Sequence, residues 1–128
     1  MIVLDASVLI GHLDARDSHH EKATALLAAS DAEPLGASAI TLAETLVAPA
    51  REKRLEEAKA ALECLGVEEL DLGEDAPVRL AKLRAETGLK LPDCCVLVGA
   101  GQHSGSVASF DSDLRKAARK LGLGVVGG

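Results

Sequence analysis

The chain has almost no aromatic side chains: one phenylalanine, Phe110, and no tryptophan or tyrosine in 128 residues. Any core must be aliphatic, and a hydrophobic content of 48% supplies it easily. The same lack argues against a protein that grips single strands by stacking bases on aromatic platforms. Cysteine is scarce as well. Cys64, Cys94 and Cys95 are odd in number and have no C-x-x-C spacing, which excludes a disulfide framework and a zinc site. Small apolar packing in a reducing compartment is the expectation for them. Uncharged apolar runs stay far below the ~18 residues that a membrane span needs, and no basic stretch precedes the opening apolar run. A soluble, cytoplasmic protein without a membrane partner is expected. The length suits a single domain over residues 1–128. No repeat, linker or low-complexity segment is visible.

Positive charge is the other shortage. Fourteen Lys and Arg stand against twenty Asp and Glu, a formal net charge of −6. Nucleic-acid binders are usually basic, so this balance weighs against such a partner. The argument therefore turns on where the acids sit.

Apolar periodicity gives the framework. Ile2-Val3-Leu4-Asp5 reads as a buried strand, and Ala6 to Leu13 as a helix. A second helix is expected from Ser18, where Ser18-His19-His20-Glu21 has capping-box spacing, to about Ser30. Pro34 to Ser38 reads as a turn and short strand, followed by a helix from about Ala39 to Ala48 that Pro49 stops. Arg51 to Leu65 is a helix with Leu55, Ala58, Leu62 and Leu65 on one face, closed by Gly66. Val67 to Leu72 alternates like a strand, and Asp75 to Thr87 is helical. Pro92 to His103 is a further helix, Ser106 to Phe110 a strand, Ser112 to Leu121 a helix and Val125-Val126 a last strand. Strands alternating with helices imply an α/β fold of three layers, α/β/α, around a mostly parallel sheet.

Most acids fall on solvent faces of helices, as Glu52, Glu56, Glu57 and Glu63 do opposite the leucine stripe. Three do not. Asp5 is the only charge from Ile2 to Gly11, Glu44 the only one from Pro34 to Ala50, and Asp93 the only formal charge from Leu91 to Phe110. Glu44 lies between Ile40 and Val47 on a helix that is apolar almost all round, so burial is expected for it. An ionised carboxylate in such surroundings costs several kcal/mol unless a positive charge compensates it. No Lys or Arg lies in these windows, so the charge must come from distant bases or from a cation in solution. Asp5 ends the first strand, Asp111 follows the Ser106–Phe110 strand, and Asp93 opens a helix whose dipole favours a negative charge. Ligands of open parallel sheets bind outside the carboxyl ends of the strands, where these acids can meet. Oxygen-only donors suit Mg²⁺ or Mn²⁺. Each acid also has a plainer reading: Asp93 and Asp111 as helix caps, Asp5 as a turn residue.

Together these residues resemble the PIN domain, and especially the toxins of VapBC toxin–antitoxin systems. The resemblance spans essentially the whole chain. It rests on Val3-Leu4-Asp5-Ala6-Ser7, on Thr41-Leu42-Ala43-Glu44, on Leu91-Pro92-Asp93 opening a helix, and on Ser109-Phe110-Asp111-Ser112-Asp113. It implies a Mg²⁺/Mn²⁺ site of Asp5, Glu44, Asp93 and Asp111, with Asp113 a second contributor or a neighbour. Ser7 and Ser109 match positions whose hydroxyls orient carboxylates or water. The family often has Thr and a polar residue where this chain has Ser109-Phe110, which leaves Asp111 and Asp113 both open as the fourth acid, Asp111 preferred. The implied activity is endonucleolytic cleavage of structured RNA such as tRNA or rRNA. The implied partners are a cognate antitoxin whose tail covers the acidic rim and a second copy of the chain in a homodimer.

Lys90, Arg115, Lys116 and Arg119 are candidates for facing phosphate, though each also reads as an ordinary solvated charge. His19 and His20 point in different directions and read as surface residues; His12 and His103 carry no assignment. A haloacid-dehalogenase phosphatase needs a second Asp where this chain has Ser7, and a receiver domain needs an acidic pair after its first strand. Both are set aside. The remaining alternative is a non-enzymatic α/β interaction module with a vestigial acidic rim, which has no use for Glu44.

Overall fold

Ile2–Leu4 forms β1, every residue of it buried, at the centre of a five-stranded sheet. The computed structural model describes residues 1–127. The other strands are β2 (Leu35–Ser38), β3 (Val67–Leu70), β4 (Ser106–Ala108) and β5 (Val125–Val126). Their order across the sheet is β3-β2-β1-β4-β5, and every pairing is parallel. Ile2 lies in register with Leu35 on one side and with Ser106 on the other.

Among the described residues, seven helices cover the sheet: α1 (Ala6–Leu13), α2 (His20–Ala29), α3 (Ala39–Arg51), α4 (Leu55–Leu65), α5 (Ala76–Thr87), α6 (Leu91–Gln102) and α7 (Ser112–Lys120). The period of two in β1 divides the core. Ile2 and Leu4 pack with Val8 and Leu9 of α1, Leu26 and Leu27 of α2 and Leu62 of α4. Val3 points the other way, into Val96, Leu97 and Ala100 of α6 and Leu114 and Ala118 of α7. The result is the expected three-layer α/β/α fold, with an aliphatic core. Gly36 in β2 is required by packing, because a Cβ there would stand 2.7 Å from the Leu70 side chain of the neighbouring strand. Among the described residues no helix is long and apolar enough to cross a membrane.

Several boundaries differ from the sequence expectation. Ser18 caps nothing: α2 starts at His20, and it is the Asp17 carboxylate that accepts the His19 N–H, at 2.8 Å. Pro49 does not stop α3, which continues to Arg51. Proline removes only its own donor, so later residues stay helical until Lys53 turns to φ +58°. For that reason α4 begins at Leu55 and not at Arg51. Cys94 and Cys95 are buried as expected, and burial pushes both thiols up, whereas Cys64 is exposed.

Candidate active site

The sheet order places β1 beside β4, and this is where the chain's winding reverses. From β1 it proceeds outward to β2 and β3, then returns to the opposite side of β1 for β4 and β5. Such a switch point opens a crevice at the carboxyl ends of the strands. Asp5 directly follows β1, and Asp111 follows β4 after Ser109 and Phe110.

Asp5 is buried, with 5% of its surface exposed. It is the N-cap of α1: Oδ1 accepts the Val8 N–H at 3.2 Å and the Ser7 hydroxyl at 2.6 Å. Oδ2 accepts the hydroxyl of the fully buried Ser109. Burial raises the Asp5 pKa, and the charge of Asp111 adds to that; the hydrogen bonds from Ser109, Ser7 and Val8 work in the opposite direction. The two serines also bind the neighbouring loop. Ser109 Oγ accepts the Asp111 N–H at 3.0 Å, and Ser7 Oγ accepts the Phe110 N–H at 3.4 Å.

Asp111 is exposed and caps α7, accepting the Leu114 N–H at 2.9 Å. Asp93 sits half-buried in the first turn of α6. Its carboxyl is pushed up by burial first, then by the charges of Asp111, Asp5 and Glu44, with Lys90 opposing. Asp93 thus feels the charge of the three other acids, and Asp5 that of Asp111. Asp113 is exposed in the first turn of α7, two residues on from Asp111.

Glu44 corrects one expectation. It is exposed, as are Ile40 (48%) and Val47 (44%) on either side of it. The buried residues of α3 are Thr41 and Thr45, the latter donating its hydroxyl to the Thr41 carbonyl at 2.9 Å. Thr45 bonds within the helix and the Thr41 hydroxyl accepts the Ser38 hydroxyl, so both threonines can serve as the inward face, which turns the more apolar side outward. Ser38, overlooked in the sequence, starts this helix by accepting the Thr41 N–H at 3.2 Å. The signal for it was the Ser38-x-x-Thr41 spacing.

Of the basic candidates, Arg115 is the one tied to the site, donating to the carbonyls of Ser109 (3.0 Å) and Val126 (3.3 Å). Lys90, Lys116 and Arg119 are exposed. His12 bonds Thr24, His20 the Gly11 carbonyl and His103 the Asp71 carbonyl, so these three hold elements together. His19 stacks on Phe110, ring centroids 4.8 Å apart and planes inclined by 14°. Sequence reasoning had no signal for that pair.

The donor chemistry fits a hard divalent cation: Asp5 is buried, Asp93 is half-buried, and the charges of Asp111, Asp5 and Glu44 all bear on Asp93. A closed shell is not preformed. Among the described residues, no three Asp, Glu, His or Cys side chains stand close enough to hold a metal ion. Asp5 and Asp111 each commit an oxygen to a helix cap.

The model of the PIN domain matches residues 2–120. Among solved structures, FitAcB from Neisseria gonorrhoeae is 26% identical, with a TM-score of 0.71, covering 98% of this chain and 96% of its own. VapC20 of Mycobacterium tuberculosis, described as a sarcin-ricin loop cleaving toxin, is 20% identical with a TM-score of 0.75, covering 91% and 95%. A toxin–antitoxin complex from Klebsiella pneumoniae is 24% identical, with a TM-score of 0.70 and 88% of each chain covered. No curated protein sequence is significantly similar.

Proposed function

The chain belongs to the PIN domain family, and on that premise we propose that it is a metal-dependent endoribonuclease, the toxin of a toxin–antitoxin pair. The observation that carries this reading is Asp93. It is half-buried where Asp111, Asp5 and Glu44 all disfavour its charge, and it caps no helix in return. Burial and three like charges outweigh Lys90 there, and a carboxyl shifted in this way at the head of a helix is a functional candidate. Asp5, Glu44, Asp93 and Asp111 would hold the ion, Mg²⁺ or Mn²⁺. When bound, it supplies positive charge against the scissile phosphate and lowers the pKa of water.

The chain's own residues do the positioning. Ser7 and Ser109 clamp both oxygens of Asp5 and fix its orientation. The same serines hold the Phe110–Asp111 backbone, so one hydrogen-bond network joins the acids after β1 and β4. Lys90, whose charge reaches Asp93, offers a phosphate contact at the rim. Structured RNA such as tRNA or rRNA is the proposed substrate; the relative described as cleaving the sarcin-ricin loop supports it. Similarity to a toxin–antitoxin complex supports a cognate antitoxin as partner.

A non-enzymatic module would account for Asp5 and Asp111, since both cap helices. It leaves unexplained why Asp93 is half-buried under the charges of three other acids. Incubating the protein with tRNA and rRNA in Mg²⁺, in Mn²⁺ and in EDTA decides between the two. Cleavage that EDTA abolishes is expected, and cleavage untouched by EDTA overturns the metal mechanism.

A further inference from the structure

Beside the acids, a cavity of about 620 Å³ opens between α2, α7 and the ends of β4 and β5. Its wall includes Ser109 and Phe110, so it begins at the residues that join Asp5 to Asp111. Three other wall residues define its chemistry: His19, Lys22 and Arg115. In a chain of net charge −6, two cations, Lys22 and Arg115, face this one cavity. The acid of the wall, Glu33, lies 3.5 Å from the amino terminus, which offsets its charge. Arg115 spends one nitrogen on the Ser109 and Val126 carbonyls, and its guanidinium has further N–H groups to donate.

The chain's single aromatic side chain lies here as well. His19 stacks on Phe110 and still has 46% of its side chain in solvent. The Asp17 carboxylate lies 3.7 Å from Nδ1 and accepts the backbone N–H of His19 at 2.8 Å. One face of His19 thus rests on Phe110 and the ring remains accessible, with Lys22 and Arg115 on the same wall. A flat accessible ring next to cations matches a nucleotide: base on ring, phosphate on Lys and Arg.

We propose that this cavity is a subsite for one nucleotide of the RNA strand flanking the cleaved bond, its base stacked on His19 and its phosphate held by Lys22 and Arg115. The inference rests on the nuclease reading and adds to it where the strand lies: on the β4–β5 side of the acids, across Phe110. A single aromatic pair cannot make a row of platforms, but one base beside the cleaved bond needs only one. Because every base has a π-face, the subsite tolerates any sequence.

The test uses the full chain and a fluorescein-labelled single-stranded RNA 12-mer of mixed sequence, in EDTA, followed by anisotropy over a range of salt. His19→Ala weakens binding by about fivefold or more, the low end of what one stacked base contributes. Lys22→Gln lowers the slope of log affinity against log salt by about 0.7, the value of one phosphate contact on a single strand. Lys120→Gln, at the end of α7 and outside the cavity wall, serves as the charge control and leaves both quantities unchanged. All three positions are exposed, and unchanged melting temperatures confirm intact folds. With Mn²⁺ and a cleavable RNA, His19→Ala and Lys22→Gln raise KM and leave kcat within about twofold, because neither touches the acids. Wild-type protein that cleaves RNA while both variants keep its affinity, salt slope and KM overturns the subsite alone. Wild-type protein that neither binds nor cleaves RNA overturns the subsite and the nuclease reading together.

Discussion

Ser109 donates its hydroxyl to Asp5 across 104 positions of sequence, and the same oxygen accepts the backbone N–H of Asp111. One buried side chain thereby sets the spacing of the acids that follow β1 and β4. Ser109→Ala should remove a hydrogen bond to a buried carboxylate and leave the Asp111 N–H without its acceptor. A loss of about 1.5–3 kcal/mol in folding stability is expected, the usual range for bonds to charged groups. Chemical denaturation measures it. Ser7→Ala, whose hydroxyl is only part-buried, should cost less. Equal losses would mean that Ser109 has no special hold on the site.

Asp93→Asn keeps the side chain's shape and removes one of four repelling charges. The folded pKa of Asp93 is raised. Its favourable contribution is therefore complete below the ordinary Asp value and is lost as pH rises through the folded pKa. At neutral pH without metal, the variant should melt above wild type, and the gap should close on acidification. Mg²⁺ should stabilise wild type by RT ln(1 + [L]/Kd), about 2.7 kcal/mol at a hundred times Kd, and the variant far less. Thermal melts at pH 4 and pH 7.5, with and without Mg²⁺, provide the comparison. A variant with the full Mg²⁺ response removes Asp93 from the ion site.

The two acids of the last motif should behave differently. Asn caps helices as well as Asp does, so Asp111→Asn should fold normally. We expect its cleavage rate to fall by roughly a hundredfold or more, the equivalent of a few kcal/mol in the transition state. Asp113→Asn should cleave at close to the wild-type rate. Single-turnover cleavage of one RNA by both variants tests this, and the reverse order would transfer the fourth position to Asp113.

Homodimerisation is expected from the family. Ile40, Val47, Val78, Leu91 and Leu121 leave apolar surface in solvent that a second copy could bury. Light scattering at micromolar concentration should report twice the 13.2 kDa chain mass. A mass of one chain throughout that range counts against the dimer.

The sequence by itself determined the fold class and singled out the acids. Buried runs such as Ile2–Leu4, alternating with amphipathic stretches such as Leu55–Leu65, can satisfy their backbones and hide their apolar faces in few ways, and a parallel sheet under helices is the natural one. Asp5, Glu44 and Asp93 stood out because each was the sole charge in its window, a signal that needs no coordinates. What local pattern could not specify was the direction in which each face turns. Helix α3 is apolar nearly all round, so periodicity alone did not choose between its sides. Packing against the sheet buried Thr41 and Thr45 and left Ile40, Glu44 and Val47 in solvent. Competing caps such as Ser18 and Asp17 were likewise decided by the loop's geometry. The His19–Phe110 stack and the Asp5–Ser109–Asp111 bridge join residues far apart in the chain, brought within reach only because β4 pairs beside β1. Contacts of that kind carry no local signature, because the pairing that makes them is a property of the whole sheet.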